Sequence, residues 1–499
     1  MAFYFSKSRY CAFYRCPKLA WLKKYMPEVE VIDEHTQAIF DQGNEVGDLA
    51  MGLFGSFVEV TTYDANGKLD LNAMKVRTAE EIAKGTENIC EASFDFDGLY
   101  CAVDILKKNG DGWDIYEVKS STEVNDIYIV DVSYQKYVLE KCGLNIINCY
   151  VVVIDNTYVR GATLDISKLF AINDVTDEVS DEILNVPILI DEAKKVLACK
   201  SEPTTPIGVY CHSPYDCSCF EYCTKDVPSP SVFDLYRMNF KDKVSLYNAG
   251  LVDYASIFAS GRVTNEKQLR QMDFYLNNRP DYIDKAGIAK FLNTLSYPLY
   301  FLDFETMQSA IPPFEGTKPY QQIPFQYSLH YIEYEGGPLL HKEFLGESGT
   351  DPRRALAEQL CADIPLDVCT TAYNKSFECS RIKELAEMYP DLADHLLNIS
   401  DNIKDFLDPF RDGYYYTKDM GGSFSIKVVL PALFPDDPDL DYHKLDQIHN
   451  GGEAMTIFPQ ICKMSPADQK VARENLLKYC CLDTYAMVKI WQKLCDVSQ

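Results

Sequence analysis

Two periodicities of apolar positions run along the first part of the chain. Residues 6–25 place apolar side chains at helical spacing, and Pro17 is expected to divide them into two helices. Shorter runs rich in β-branched and aromatic residues predict strands between turn residues. The predicted strands cover 55–62, 113–119, 146–154 and two short strands within 92–106 that flank the turn at 95–98, and the other predicted helices cover 36–53, 79–88 and 131–142. These elements predict a mixed α/β domain.

The rest of the chain repeats this mixture after two segments of different character. Residues 203–230 are rich in Pro, Cys and Ser and indicate a loop that is held by something other than an apolar core. Residues 232–295 are polar and mainly helical, which predicts either a plain connector or a helical element that grips a phosphate backbone. The strands predicted after them cover 299–304, 324–333 and 367–372, and the helices cover 376–388 and 467–495. A second α/β domain is therefore expected.

Length and composition limit the class of protein. A chain of 499 residues exceeds one hydrophobic core, so we expect two or three domains. With 47% hydrophobic and 25% charged residues, the chain is expected to fold rather than to stay disordered. Apolar runs such as 149–154 are too short to cross a bilayer, and residues 1–11 lack the apolar core of a signal peptide. We therefore expect a cytoplasmic protein without a membrane partner.

Charge and cysteine content narrow the partners further. The chain carries 48 basic and 75 acidic side chains, which gives a formal charge of −27. Such a charge repels nucleic acid at long range, although metal-dependent nucleases use carboxylates as ligands and need basic residues only in one groove. The 18 cysteines do not indicate a disulfide scaffold in a reducing compartment. Most of them stand singly, and one group is clustered in the sequence: Cys211, Cys217, Cys219 and Cys223.

The first candidate site follows from two predicted strands joined by a tight turn. Asp104 lies on one strand, and Glu117 and Lys119 lie on one face of the next, because side chains alternate along a strand. Two carboxylates can hold Mg²⁺ or Mn²⁺, while the lysine ammonium can position or activate water and stabilise charge on a phosphate. The alternative interpretation is a surface hairpin whose Glu117 and Lys119 face solvent.

This pattern resembles the PD-(D/E)XK nucleases, and among them the RecB-like and CRISPR-associated exonucleases that carry an iron–sulfur cluster. The resemblance rests on Asp104, Glu117 and Lys119, and on Gln135 in the segment SYQKYVL that follows. It implies a restriction-endonuclease-like fold with Gln135 near the nucleic acid and the catalytic Lys119. Where relatives carry a histidine on the first helix, this chain has Glu45, which the resemblance makes a further oxygen ligand.

Cys211, Cys217 and Cys223 are evenly spaced, with five residues between successive members. Four thiolates hold either Zn²⁺ or a 4Fe-4S cluster, and spacing alone does not decide between them. The resemblance adds Cys16 as the fourth ligand and favours 4Fe-4S, since in these exonucleases one N-terminal cysteine meets three that follow the nuclease core. Such a cluster is expected to stabilise the N-terminal domain. The other thiols that can take a ligand position are Cys11 and Cys219.

A second candidate site lies in the C-terminal half. Asp303 and Glu305 are two apart on one predicted strand, so both carboxylates point to the same side. Tyr479 and Asp483 are four apart on a predicted helix and share one face. Together with Glu378, at a predicted strand-to-helix turn, these carboxylates can bind two divalent ions that stabilise the attacking and leaving oxygens of an in-line displacement. Tyr479 can orient the attacking water.

These motifs resemble the DEDD superfamily of 3′ to 5′ exonucleases, in the branch whose third motif is Y-x-x-x-D. The first motif, D-x-E, matches at Asp303 and Glu305, and the third matches at Tyr479 and Asp483. The second motif departs, because Glu378 stands where the family has aspartate. The resemblance implies an RNase H-like fold for the C-terminal domain.

Both resemblances imply a metal-dependent nuclease with two active sites that uses Mg²⁺ or Mn²⁺ and acts on DNA or RNA, with DNA the favoured partner. They cover an N-terminal domain at 1–226 and a C-terminal domain at 291–499, and they leave a helical connector at 227–290. The segment SFSIKVVLPALFP is similar to a stretch of related exonuclease domains in which Ser425 and Lys427 would touch substrate. Two hypotheses from other classes stay open. One is a scaffold that binds nucleic acid with one or both sites inactive, and the other is a zinc-stabilised or redox-sensing regulator.

Overall fold

The computed structural model describes residues 4–437, 440 and 448–499 and divides the chain into two compact units. The first unit comprises Met1–Asp226 and Ser309–Tyr320, and the second comprises Val227–Gln308 and Gln321–Gln499. The residues expected to form a separate connector, 227–290, thus belong to the second unit. Residues 1–11 were expected to lack the apolar core of a signal peptide. Of these, residues 1–3 lie outside the described residues.

The first unit is a mixed α/β structure. Its strands are β1 (Phe5–Ser6), β2 (Val58–Glu59), β3 (Asn88–Phe96), β4 (Leu99–Asn109), β5 (Gly112–Val118), β6 (Ile146–Ile154) and β7 (Phe170–Asp174). Its helices are α1 (Lys7–Arg15), α2 (Pro17–Tyr25), α3 (Glu34–Ala50), α4 (Leu71–Lys84), α5 (Asp126–Lys141), α6 (Ile166–Leu169), α7 (Thr176–Glu182), α8 (Val186–Ala198) and α9 (Phe220–Thr224).

One seven-stranded sheet organises this unit, in the order β2-β3-β4-β5-β6-β7 with β1 beside β4. The β3-β4-β5 meander is antiparallel, whereas β5 and β6 run parallel. One face of the sheet packs against α1, α2, α5, α7 and α8, and the other packs against α3. Residues Ser309–Tyr320 complete the second face, where Ala310 is fully buried.

The second unit is also mixed α/β. Its strands are β8 (Tyr282–Ile283), β9 (Leu299–Met307), β10 (Ile323–Ile332), β11 (Leu340–Leu345), β12 (Cys369–Ala372), β13 (Ile403–Asp405) and β14 (Tyr415–Tyr416). Its helices are α10 (Phe240–Asn248), α11 (Tyr254–Ser260), α12 (Glu266–Leu276), α13 (Lys285–Leu292), α14 (Arg353–Asp363), α15 (Ser376–Met388), α16 (Ala393–Asp401), α17 (Asp408–Arg411), α18 (Ile426–Leu433), α19 (Gly451–Ile457) and α20 (Pro466–Ser498).

Its main sheet has the order β11-β10-β9-β12-β13. The strands β11, β10 and β9 are antiparallel neighbours, while β12 and β13 run parallel to β9. Successive side chains of β9 point to opposite faces of the sheet. Leu302 and Phe304 pack into the core beneath α14, α15 and α16. Asp303 and Glu305 therefore point to the opposite face, against which α20 packs.

Local sequence explains most element boundaries. Two helices meet at Cys16, since Pro17 takes the first helical position of α2, where the missing N–H costs nothing. The helix expected at 79–88 instead begins at Leu71, because the Asp70 side chain accepts hydrogen bonds from the N–H groups of Asn72 and Ala73 at 3.1 and 3.0 Å. The strand expected at 55–62 is reduced to β2. No helix in the described part of the chain is long and apolar enough to cross a bilayer.

Candidate functional site

Three carboxylates stand in a row across the β3-β4-β5 meander of the first unit. Ile105 pairs with Tyr116, so Asp104 lies opposite Glu117. Cys90 pairs with Ile105, and Ala92 pairs with Val103. Glu91 on β3 therefore lies opposite Asp104 on β4. Glu91 adopts a left-handed backbone with φ of 58°, which is uncommon for a residue other than glycine. All three side chains line one cavity of about 770 Å³.

Two lysines hold the central carboxylate of this row. Nζ of Lys119 donates to Oε1 of Glu117 at 2.7 Å and to Oδ2 of Asp131 at 2.8 Å. Nζ of Lys7 donates to Oε1 and Oε2 of Glu117 at 2.9 and 3.1 Å, and lies 3.6 Å from Oδ1 of Asp104. The ammonium groups thus sit where positive charge is needed between the carboxylates.

Burial and like charge shift the pKa values of this cluster. Burial, followed by the charges of Asp104 and Asp131, raises the pKa of Glu117 to about 7. Burial and the charge of Asp104 raise the pKa of Glu91 to about 8. Burial alone would lower the pKa of Lys7, but the nearby carboxylates outweigh it and raise that pKa well above its usual range. The carboxyl and ammonium groups of this cavity therefore shift one another's pKa values.

Gln135 lies beside this group, on α5. Its Nε2 donates to Oε2 of Glu117 at 2.7 Å and to Oδ1 of Asp131 at 3.0 Å. The structure therefore brings together four of the five residues expected in the first site. Glu45, the fifth, is exposed on α3 and does not line the cavity. The same turns of α3 present Asn44 and Asp48 to the cavity instead.

The four cysteines expected to bind a cluster lie near one another in the first unit. Cys16, Cys211 and Cys223 each interact electrostatically with Cys217. The N–H of Cys217 donates to the carbonyl of Cys211 at 2.8 Å. A hydrogen bond from the Cys219 thiol is the main cause that lowers the pKa of Cys217 to about 6. Cys217 is thus prepared to act as a thiolate.

Long-range contacts fasten this loop to the N-terminal helices. Nε of Arg15 donates to the carbonyl of Tyr210 at 2.8 Å, and its guanidinium stacks 4.4 Å from the ring centre of Tyr215. No three of the cysteine sulfurs in the described residues lie within 4.8 Å of one another. Thiolates around one tetrahedral zinc ion would stand about 3.8 Å apart. Cys11 interacts electrostatically with Asp131 and Lys119 and so faces the first site.

The second site collects carboxylates from three elements of the second unit. Asp303 and Glu305 come from β9, Glu378 from the first turn of α15, and Asp483 from α20. Glu305, Glu378 and Asp483 are at least 93% buried. Oε2 of Glu378 is buried and accepts no hydrogen bond from any residue that the structure describes. An oxygen in that situation is available to a cation.

Crowding raises the pKa values of these carboxyls. Burial, followed by the charges of Asp483 and Glu378, holds the pKa of Asp303 well above its usual range. Burial and the charge of Asp483 do the same for Glu305, against the opposing effect of Lys427. Burial is also the main cause that raises the pKa of Glu378 to about 8. Without a cation this cluster is electrostatically unfavourable at neutral pH.

Tyr479 reaches the same cluster from α20, one helical turn before Asp483. Nζ of Lys427 donates to its hydroxyl at 2.9 Å and to the carbonyl of His449 at 3.3 Å. Cys480, on the same helix, places its sulfur within 4.8 Å of carboxylate oxygens of Asp303 and Glu305. The five residues expected in the second site therefore converge.

A second cavity, of about 420 Å³, is lined by Asn374, which lies two residues before the start of α15. Its aromatic side chains include Tyr236 and Phe424, and its basic side chains are Arg237 and Arg411. Ser425, expected to touch substrate, also lines it. Stacking surfaces next to cationic groups suit unpaired bases and phosphates.

Sequence reasoning missed Lys7 and Glu91, both of which belong to the first site. Lys7 meets Glu117 across 110 positions, and such a contact leaves no local pattern. Glu91 could have been found by counting the register outward from the turn at 95–98, which sets it opposite Asp104. It was obscured because its left-handed backbone interrupts the alternation of the strand.

Part of the chain matches a family model and a curated relative. Residues 300–425 match a family model described as a domain of unknown function, DUF2779. The matched residues include Asp303, Glu305 and Glu378. The uncharacterized protein UU173 of Ureaplasma parvum is 30% identical over 187 residues, which cover 35% of this chain and 26% of that relative. The chain thus spans about a quarter of the length of this relative.

Proposed function

We propose that the protein is a metal-dependent nuclease that hydrolyses phosphodiester bonds in DNA or RNA from two active sites. The observation that carries this proposal is the convergence of Asp303, Glu305, Glu378 and Asp483 from three separate elements, with Asp303 half-buried and the other three buried. Gathering four like charges in this way is unfavourable unless cations neutralise them. Oxygen ligands in this number and of this hardness fit Mg²⁺ or Mn²⁺.

In the second site the four carboxylates would hold two such ions, which would stabilise charge on the attacking and leaving oxygens. Tyr479 contributes a hydroxyl that accepts from Lys427 and can donate to the attacking water or to a phosphate oxygen. Lys427, whose charge acts on Asp303 and Glu305, would add positive charge next to the phosphate that is cleaved. The sheet order β11-β10-β9-β12-β13, antiparallel and then parallel, supports the resemblance to RNase H-like exonucleases.

In the first site Asp104 and Glu117, with Glu91 as a third oxygen donor, fit one or two hard cations. Lys119 would position the attacking water, and Asp131 and Gln135 fix its ammonium and the Glu117 carboxylate in place. Because Lys7 also contacts Glu117 and Asp104, it would compete with the cation for the same oxygens. The row of carboxylates and the two lysines support the resemblance to PD-(D/E)XK nucleases.

The cavity beside Asn374 suggests how a polyanion is accepted by a chain with a charge of −27. Arg237 supplies local positive charge and Phe424 supplies an aromatic face, whereas Arg411 is paired with Asp405 and Asp408. A single-stranded end fits this combination better than an intact duplex, since its bases are free to stack. This supports an exonuclease that acts on frayed or single-stranded ends of DNA or RNA.

The thiols of Cys16, Cys211, Cys217 and Cys223 would hold a 4Fe-4S cluster, with zinc as the alternative. Their separation exceeds what one zinc ion needs, and the lowered pKa of Cys217 provides a thiolate at neutral pH. The cluster would bind the loop after α8 to the junction of α1 and α2 and so act structurally.

The test is a time course on end-labelled single- and double-stranded DNA and RNA with Mg²⁺ or Mn²⁺. Lys119→Met disables the first site, Asp303→Asn disables the second, and the double variant removes both. We expect each single variant to keep part of the cleavage and the double variant to have none. If wild type and double variant are equally inactive but bind nucleic acid equally well, the protein is a binding scaffold and the proposal fails.

A further inference from the structure

A separate group of potential metal ligands lies on the face of the second sheet that packs against α20. His330 on β10, His341 on β11 and Cys481 on α20 place ligand atoms within 4.8 Å of one another. His330 and His341 are paired directly across the two strands, and their ring centres are 4.4 Å apart. None of these side chains belongs to the four-carboxylate site.

Hydroxyl groups orient both imidazoles. Nδ1 of His330 is 2.8 Å from Oγ1 of Thr484, and Nε2 of His341 is 2.9 Å from Oγ of Ser328. Each ring therefore offers its other nitrogen, Nε2 of His330 and Nδ1 of His341, to a further partner. Metal-bound histidines commonly have their second nitrogen fixed in this way, because it sets the tautomer and the ring orientation.

Glu343 lies on the same face and can supply a fourth donor, although its carboxylate is not among the ligand atoms within 4.8 Å of one another. It lies on β11 two residues after His341, and its Cα pairs with that of Ser328, so it shares the face of the two histidines. Its charge acts on both His341 and Cys481.

We propose that His330, His341 and Cys481, with Glu343 as the fourth ligand, form a binding site for Zn²⁺ or a similar transition-metal ion. Two imidazoles, one thiolate and one carboxylate are the donors that zinc prefers, and four protein ligands make a closed, structural site. Mg²⁺ does not suit this set, because it favours oxygen ligands. The site differs in chemistry from the carboxylates on the other side of Ser328.

Such an ion would connect the edge strand β11 to α20. Cys481 lies between Tyr479 and Asp483 on that helix, so the ion would fix the height and rotation of the helix against the sheet. Removing the ion is therefore expected to lower thermal stability and to loosen the second site, without removing any carboxylate from it. Metal binding at the proposed zinc site can thus be measured separately from nuclease activity at the four-carboxylate site.

The test uses the full chain, purified and stripped of loosely bound metal, and titrated with Zn²⁺ and with Co²⁺ as a spectroscopic substitute. We expect wild type to retain one zinc equivalent more than His341→Ala, and its Co²⁺ spectrum to contain a thiolate-to-metal band that Cys481→Ser lacks. Cys361→Ser, which removes another half-buried thiol of the same unit, is the matched control and should behave like wild type.

His341 is exposed, so His341→Ala is expected to fold, and circular dichroism checks this before metal is added. Added zinc should raise the melting temperature of wild type and of Cys361→Ser but not of His341→Ala. Equal zinc content in wild type and His341→Ala, or an unchanged cobalt spectrum in Cys481→Ser, would overturn the proposal and leave a hydrogen-bonded polar cluster. Neither result depends on nuclease activity.

Discussion

The ammonium of Lys427 donates a 2.9 Å hydrogen bond to the hydroxyl of Tyr479, and it lies 5.1 Å from the centre of the same ring. This contact links α18 to α20 at the edge of the four-carboxylate cluster. A tyrosine hydroxyl can accept one hydrogen bond and donate another, and here it accepts from Lys427, which suits a group that orients water or a phosphate oxygen.

Tyr479→Phe removes this hydroxyl and keeps the ring in its buried position. We expect kcat at the second site to fall about 10- to 100-fold with KM little changed, because the hydroxyl acts on the reacting groups. Steady-state cleavage of a labelled single strand, in a Lys119→Met background, measures this. Tyr275→Phe, on an exposed tyrosine of the same unit, should be silent, and an equal loss in both variants would contradict the assignment.

Asp483→Asn should abolish metal binding at the second site. The carboxylate is one of four that would share the divalent ions, so turnover is expected to fall by about 100-fold or more. Mn²⁺ titration by calorimetry should show at least one binding event fewer than wild type. Glu474→Gln, which removes an exposed carboxylate nine residues earlier on α20, is the control. Unchanged Mn²⁺ stoichiometry in Asp483→Asn would remove Asp483 from the proposed site.

The metal-free protein should become less stable as pH rises from about 5 to 8. Burial raises the pKa of Glu378 to about 8, so between its ordinary pKa and that value the folded state binds a proton that the unfolded chain does not. The free energy of unfolding then falls with pH, by up to about 1.4 kcal/mol per pH unit for each such carboxyl.

Urea denaturation in a chelator at several pH values measures this slope. Glu378→Gln should make it shallower, and saturating Mn²⁺ should do so in wild type, because the cation replaces the proton. Glu358→Gln, which removes an exposed carboxylate, is the control. If neither the variant nor Mn²⁺ alters the change of unfolding free energy with pH, the carboxyls of the second site are not its cause.

Lys7→Met tests the competition between the lysine and the cation in the first site. Loss of an ammonium 2.9 Å from Glu117 leaves more negative charge in the cavity, so Mn²⁺ should bind severalfold more tightly. The metal-free variant should also lose about 1 to 3 kcal/mol of stability, since Glu117 is buried and loses a charged partner. Lys168→Met, at an exposed lysine, serves as control for both measurements. Weaker Mn²⁺ binding would instead make Lys7 a residue that supports the site.

Cys217→Ser should remove the iron–sulfur cluster and destabilise the first unit. Anaerobically purified wild type is expected to contain iron and sulfide and to absorb broadly in the visible range, and the variant should lack all three. Cys142→Ser, at an exposed cysteine of the same unit, should keep them. Zinc without iron in wild type would favour the zinc alternative.

The sequence predicted best where one local rule decides the outcome. Strand alternation was enough to set Asp303 beside Glu305, and helical spacing was enough to set Tyr479 beside Asp483. Glu45 shows the limit of such rules, because α3 is amphipathic as expected but its rotation about its axis presents Asp48 to the cavity. That rotation depends on packing against distant strands, which periodicity does not encode.

Contacts between distant elements were invisible for the same reason. The pairing of His330 with His341 requires the register of β10 with β11, and β11 was not predicted at all, because its polar residues alternate on an exposed edge strand. Which half of the chain a segment joins was equally hidden. Residues 309–320 follow β9 directly, yet they complete the first unit.

That segment also has a consequence for synthesis on the ribosome. It contributes Tyr320, whose hydroxyl donates to the carbonyl of Ser120, and Thr317, whose carbonyl accepts from the N–H of Arg160 at 3.0 Å. The N-terminal unit therefore stays incomplete until residue 320 has left the exit tunnel, when β9 has already emerged but its neighbour β10 has not. The nascent halves cannot mature strictly one after the other.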